Sequence, residues 1–355
     1  MPIVIMSKRK KRNQQHFIPY VRGFKPPTLM TKRAALGPVE DDSLYTFDGH
    51  QSIPKCTSEN DWLAQYDEEG QTVSQFKLEN PWFSKRKLKY MKQPFVGSGT
   101  TLLEKYPSGK LFILPIGDLD LDVPKLANFA ELYLGIPFAV LPTLETGVDG
   151  KKVWVKRGEQ KRYVQARVAE NGRFQINITA ALQEVRHHLE LNSANSLCVI
   201  ALTKYELFET RSDLFVAGMA SGNQRIAVFS ILRYDPNLTF SSEFWHDVRK
   251  VSKPMTKFKT DRLVFERAAK LLVHETMHLL GLDHCIYFEC VMNGSGHLEE
   301  DFRQPMSLCP VCLRKMKLLT DFDIIARYEK LVQFYQEVQM LKEVKWISER
   351  LKSFE

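Results

Sequence analysis

The period of the hydrophobic positions changes several times along the chain, and each change marks an expected element. Leu111-Phe-Ile-Leu-Pro-Ile116 is a short continuous apolar run, the texture of a strand covered on both faces. Residues 124–134 follow helical spacing, and residues 138–141 read as a second strand. Residues 162–168 alternate imperfectly and lead into Phe174-Gln-Ile176. Between residues 178 and 191, Leu182, Val185 and Leu189 recur on one helical face. Leu197-Cys-Val-Ile-Ala-Leu202 is the strongest buried-strand pattern. Residues 214–219 and 226–232 flank Ser221-Gly-Asn-Gln, a hairpin signal. Residues 264–280 contain no helix breaker and predict a helix. Residues 321–355 predict a long helical segment, with Ile325, Tyr328, Val332, Tyr335, Val338 and Leu341 on one side. Strand and helix alternate through the centre, so the expected fold class is α/β, built in layers.

Length and composition narrow this only a little. At 355 residues, with 44% hydrophobic and 26% charged positions, the chain carries enough apolar material for a sizeable core. It contains no apolar run long enough to span a membrane. Residues 1–6 are apolar but too few for a signal-peptide core, and Lys8-Arg-Lys-Lys-Arg12 follows at once. The chain is therefore expected in the cytoplasm, the nucleus or both, and not secreted. The net charge of +8 is unevenly spread. Residues 1–39 hold nine Lys/Arg and no acid, which leaves 41 basic against 42 acidic residues elsewhere. A basic arm precedes a neutral body. The expected organisation is a disordered arm over 1–40, an unassigned extension over 41–107, a main domain over 108–320 and a helical segment over 321–355.

The chemistry concentrates between residues 271 and 312. His274 and His278 lie four apart on the expected helix, so their rings leave one face and can chelate one zinc ion. Glu275 beside them is the candidate general base. Gly281 stands where the chain must turn after the helix, and His284 can return as a third nitrogen ligand. Three protein ligands leave a fourth tetrahedral position for water, the requirement of a catalytic zinc. A helix with two incidental histidines is the plainer explanation. However, the pattern through Gly281 and His284 arises by accident in only about two chains in a hundred thousand of this composition. Zinc lowers the pKa of bound water from about 15.7 towards about 7, and Glu275 would take its proton during attack on a peptide carbonyl.

Four of the six cysteines crowd into the same stretch. Cys309-x-x-Cys312 can grip one ion from a tight turn, and Cys285 and Cys290 can supply two more sulfurs. A closed four-thiolate site has no vacancy and acts as a structural staple. Two disulfides are the alternative, disfavoured by the missing secretory signal. Two zinc ions per chain are thus expected.

His-Glu-x-x-His-x-x-Gly-x-x-His with a following methionine resembles the metzincin metallopeptidases. Cysteine directly after the third histidine, another five residues on, and the downstream Cys-x-x-Cys are similar to the archaemetzincin branch. The resemblance covers about residues 111–316. It implies a metzincin-like mixed sheet packed on helices, with the zinc helix at the cleft floor and a C-terminal part stapled by the four cysteines. It implies that Met292 is the Met-turn residue. It also implies an antiparallel edge strand at the cleft, including Ala217, Gly218, Met219 and Ala220, that holds extended substrate. Aminopeptidase-like action on short peptides follows from the same resemblance. The amine-binding acid is left open among Glu289, Glu299, Glu300 and Asp301. The expected partner is a peptide substrate of a monomeric enzyme, with no membrane, and with nucleic acid only through residues 1–39. Two other readings are a weak or inactive zinc-stabilised binding protein, against which the intact Glu275 counts, and a protease recruited to nucleic acid by its arm.

Overall fold

The computed structural model describes residues 18–83, 99–169, 172–192, 195–213, 215–239 and 249–354. The basic run Lys8–Arg12 and Leu214 lie outside these residues. The chain divides into two compact units. The first holds residues 106–131 and 136–279, and the second holds residues 18–105, 132–135 and 280–355. This division runs through the single 108–320 domain that the sequence suggested.

The first unit contains the strands, thirteen among the described residues. In chain order they are β1 (Lys110–Ile116), β2 (Phe138–Val140), β3 (Thr146–Asp149), β4 (Lys152–Arg157), β5 (Gln160–Val164), β6 (Ala166–Val168) and β7 (Phe174–Asn177). They continue with β8 (Ser196–Thr203), β9 (Glu206–Phe208), β10 (Gly218–Ser221), β11 (Ile226–Ser230), β12 (Leu238–Thr239) and β13 (Arg249–Lys250). The main sheet has the order β10-β11-β8-β1-β2, with β10 antiparallel and the other pairs parallel. All eight residues of β8 are buried, which is why its sequence from Leu197 to Leu202 is continuously apolar rather than alternating. Pro115 is tolerated in β1 because its carbonyl, and so the side lacking an N–H, faces Leu144 beyond the end of the β1–β2 pairing.

The helix Ile178–Leu191 starts where the Asn177 side chain accepts from the N–H of Ala180 at 3.2 Å. Its buried stripe of Ile178, Ala181, Val185 and Leu189 meets Val199, Ala201 and Val228 in one core. The hairpin expected around Ser221 is the β10–β11 pair, with Gly218 opposite Phe229. The edge strand is shorter than expected. Ala217 precedes β10 and only accepts from Ser230 through its carbonyl. The helix Lys257–Leu279 runs seven residues further back than the sequence suggested, and from Ala268 to its end every residue but His278 is buried.

The second unit brings residues 18–105 together with residues 280–354. Its helices among the described residues are Leu29–Leu36, Trp62–Gln65, Val73–Glu79, Leu102–Lys105, Leu298–Arg303, Pro310–Thr320, Ile324–Glu337 and Leu341–Lys352. The arm assigned to disorder therefore contains an ordered helix. Thr28 caps Leu29–Leu36 by accepting from the N–H of Thr31, and Ala35 and Leu36 are buried. Its brevity and the preceding Pro26-Pro27 hid this helix from a reading of periodicity. The long C-terminal helix is in fact two. Gln339 adopts φ 57°, and the N–H of Met340 turns back to the carbonyl of Tyr335. Trp82 and Phe76, from the extension left unassigned, are fully buried. No helix among the described residues is long and apolar enough to cross a membrane.

Candidate metal centres

In the first unit, the helix Lys257–Leu279 has no Gly or Pro along its 23 residues. That regularity sets His274 and His278 one turn apart. Their Nε2 atoms stand 3.0 Å from each other, with ring centroids at 4.7 Å. Two nitrogens bound to one zinc at about 2.0 Å each, near the tetrahedral angle, are separated by about 3.3 Å, so the pair suits a shared ion. Glu275, between them in sequence, is buried at 5% exposure.

In the second unit, the residues after this helix form a loop rather than further helix. Gly281 takes φ 89°, and a side chain there would lie 2.6 Å from Asn80 Nδ2. The carbonyl of Leu280 accepts from Asn80 Nδ2 at 2.7 Å, and that of Gly281 accepts from Gln71 Nε2 at 3.2 Å. These are helix-end carbonyls that would otherwise lack partners. His284 Nδ1 lies 2.9 Å from Glu68 Oε1, which also accepts from the Trp62 indole N–H at 2.6 Å. Burial pushes the Glu68 carboxyl up, but its hydrogen bonds to His284 and Trp62 outweigh this and hold it below the usual range. None of these partners was foreseen. They come from a stretch without periodicity, and no motif connects residue 68 with residue 284.

The four cysteines also belong to the second unit and are buried without disulfides. Their sulfurs all lie within 4.8 Å of one another, and Cys285 and Cys309 are 3.5 Å apart. Thiolates around one zinc, at about 2.3 Å each, stand about 3.8 Å apart, so this donor set fits a closed site. Cys290 Sγ accepts the backbone N–H groups of Met292 and Cys309 at 3.5 and 3.4 Å. Asn293 ties the knuckle together. Its Oδ1 accepts from the N–H of Cys290, and its Nδ2 donates to the carbonyls of Cys285 and Phe288. Burial raises the Cys285 thiol, yet hydrogen bonds from Cys290, Cys309 and Cys312 bring it well below its ordinary value. Burial keeps Cys309 well above. Such a set holds one thiolate readily and needs a cation to ionise the rest. Met292 is fully buried beside this cluster, its carbonyl accepting from the N–H of Cys285 at 2.7 Å.

A cavity of about 160 Å³ in the second unit is lined by His284, Glu68, Glu289 and Glu300, among others. Glu299 and Asp301 do not line it. Burial pushes the Glu300 carboxyl up to about 6, against its two backbone donors Gly296 and Trp62.

A helix offering two imidazoles and a carboxylate, followed along the chain by a buried cluster of four cysteines, gives the chain candidate metal-binding groups of the His-Glu-x-x-His class. The chain is a relative of the archaemetzincins. Residues 246–318 match Peptidase family M54. Archaemetzincin-2 of Macaca fascicularis is 33% identical over 156 residues, covering 40% of this chain and 42% of that protein. Archaemetzincin-2 of Mus musculus is 34% identical with the same coverage. Human archaemetzincin-1 is 28% identical over 181 residues, or 48% of this chain and 36% of that protein. The chain thus spans less than half the length of the curated relatives it matches. Among solved structures, an archaemetzincin from Archaeoglobus fulgidus complexed with malonate has 23% identity and a TM-score of 0.38. It covers 58% of this chain and 99% of its own.

Proposed function

We propose that this chain is a zinc-dependent peptidase, with His274, His278 and His284 holding the catalytic ion and the four cysteines holding a second, structural one. The observation that carries the reading is the Nε2 pair of His274 and His278, 3.0 Å apart on a helix whose intervening Glu275 is buried. The spacing of Gly281 and His284 supports the third ligand, and the positive φ of Gly281 gives the turn it needs. Zinc bound there supplies Lewis acidity towards a peptide carbonyl and an acidified water at neutral pH. Glu275 is the base. It accepts the proton of the attacking water and returns it to the leaving amine. Met292 is the apolar support of the Met-turn, and residues 217–220 hold substrate as an added strand along the free edge of β10.

The enzyme acts as an aminopeptidase on short peptides, with Glu289 or Glu300 receiving the substrate's amine in the cavity beside His284. The one test is hydrolysis of short peptides by wild type and Glu275→Ala, with the metal content of both measured. The variant should lose about 100- to 10,000-fold in rate at two zinc ions per chain, and N-acetylated peptides should resist the wild type. Undiminished turnover by the variant overturns the mechanism, and equal cleavage of acetylated peptides overturns the aminopeptidase reading.

A further inference from the structure

We propose that residues 62–80, which lie outside the Peptidase family M54 match, clamp the loop carrying the third histidine, and that Glu68 is the positioning residue fixing the His284 ring. The inference rests on the reading of His284 as a zinc ligand. Four side chains of the segment hold four residues of the loop. Asn80 donates to the carbonyl of Leu280, and Gln71 Nε2 donates to the carbonyl of Gly281 and to Asp283 Oδ2 at 3.1 Å. Gln71 Oε1 accepts from the N–H of Asp283 at 3.4 Å, so this one amide reads both edges of the turn. Glu68 and Trp62 then take the imidazole itself.

The geometry at the ring is specific. Glu68 is a carboxylate and can only accept, so the 2.9 Å contact makes Nδ1 the protonated nitrogen of His284. In that tautomer the lone pair is on Nε2, the nitrogen that a metal would use. Glu68 is itself fixed, because the Trp62 indole N–H donates to the same oxygen at 2.6 Å. Trp62 stands edge-on to His284 at 4.9 Å and stacks on Tyr66 at 4.2 Å. Its backbone N–H donates to Glu300 at 2.8 Å, and Gly294 leaves room for its ring, since a Cβ there would fall 2.4 Å from the indole. A plain surface ion pair would show none of this support. A segment distant in sequence thus selects the tautomer and sets the ring plane of one ligand.

The test uses the full chain with Glu68→Ala and Glu68→Gln. Zinc affinity at the histidine site is measured by chelator competition, and the His284 tautomer by ¹⁵N chemical shifts in metal-free protein. Glu68→Ala should weaken zinc about 10- to 100-fold and lose the Nδ1–H preference, with the cysteine-bound zinc retained as proof of folding. Glu68→Gln keeps an acceptor and should recover part of both. Unchanged tautomer and zinc affinity within twofold in Glu68→Ala would overturn the proposal. A wild type that binds no zinc through its histidines refutes the peptidase reading instead, while the ring shifts still report on the clamp.

Discussion

At the residue scale, the most informative group is a carboxyl that the sequence offered only as one of four candidate acids. Glu300 is half-buried, and its pKa of about 6 lies above the ordinary 4.5 because desolvation penalises the charged form more than its two N–H partners favour it. A folded-state pKa above the unfolded one means that the native state binds the extra proton between those values. Native stability from this group is therefore present below about pH 4.5 and is lost as pH rises through about 6. Replacing it by glutamine removes that penalty and keeps an oxygen for both N–H donors. Chemical denaturation at pH 5 and pH 7.5 should show Glu300→Gln gaining about 1–2 kcal/mol relative to wild type at the higher pH. A difference that does not change with pH would contradict the raised pKa. The candidate metal-binding residues were legible because imidazole and thiolate chemistry demands fixed spacing along a helix or turn. Glu68 was not, since its partner lies 216 positions away.

At the element scale, the regular pieces followed their hydrophobic periods. The helix Ile178–Leu191 and the strand Ser196–Thr203 stand where the pattern put them. At the C-terminal end, local backbone geometry overrode periodicity. The C-terminal stripe continues through Gln339, but that residue's positive φ ends one helix and lets Leu341–Lys352 start another. Gly281 is the counterpart after the metal-site helix, where a left-handed backbone and the close Asn80 amide exclude a side chain. Gly281→Ala should cost about 1–3 kcal/mol in thermal or denaturant unfolding, and should lower zinc affinity at the histidines by displacing the loop. A neutral effect on both would show that the turn tolerates a Cβ and that the close approach is unimportant.

At the scale of the whole molecule, the second unit draws on residues 18–105 and 280–354, and a metal held by its four buried cysteines would add its binding energy to folding. Cys309→Ser should reduce bound zinc by one ion per chain and destabilise the second unit by more than about 4 kcal/mol, read as a lowered first unfolding transition. Loss of the ion without loss of stability would make the cluster a bystander.

Covalent order and side-chain chemistry determined, without any coordinates, the alternation of strands and helices, the helix bearing His274 and His278, and the donor types gathered after it. Those features depend on neighbours within a few residues, where bond geometry and burial periodicity act directly. Only the tertiary structure decided that the chain divides at Leu279, that part of the basic arm is helical, and which of four candidate acids line the cavity with His284. Such facts arise from packing between distant segments, whose pairing is set by shape and hydrogen-bond satisfaction and leaves no period in the sequence.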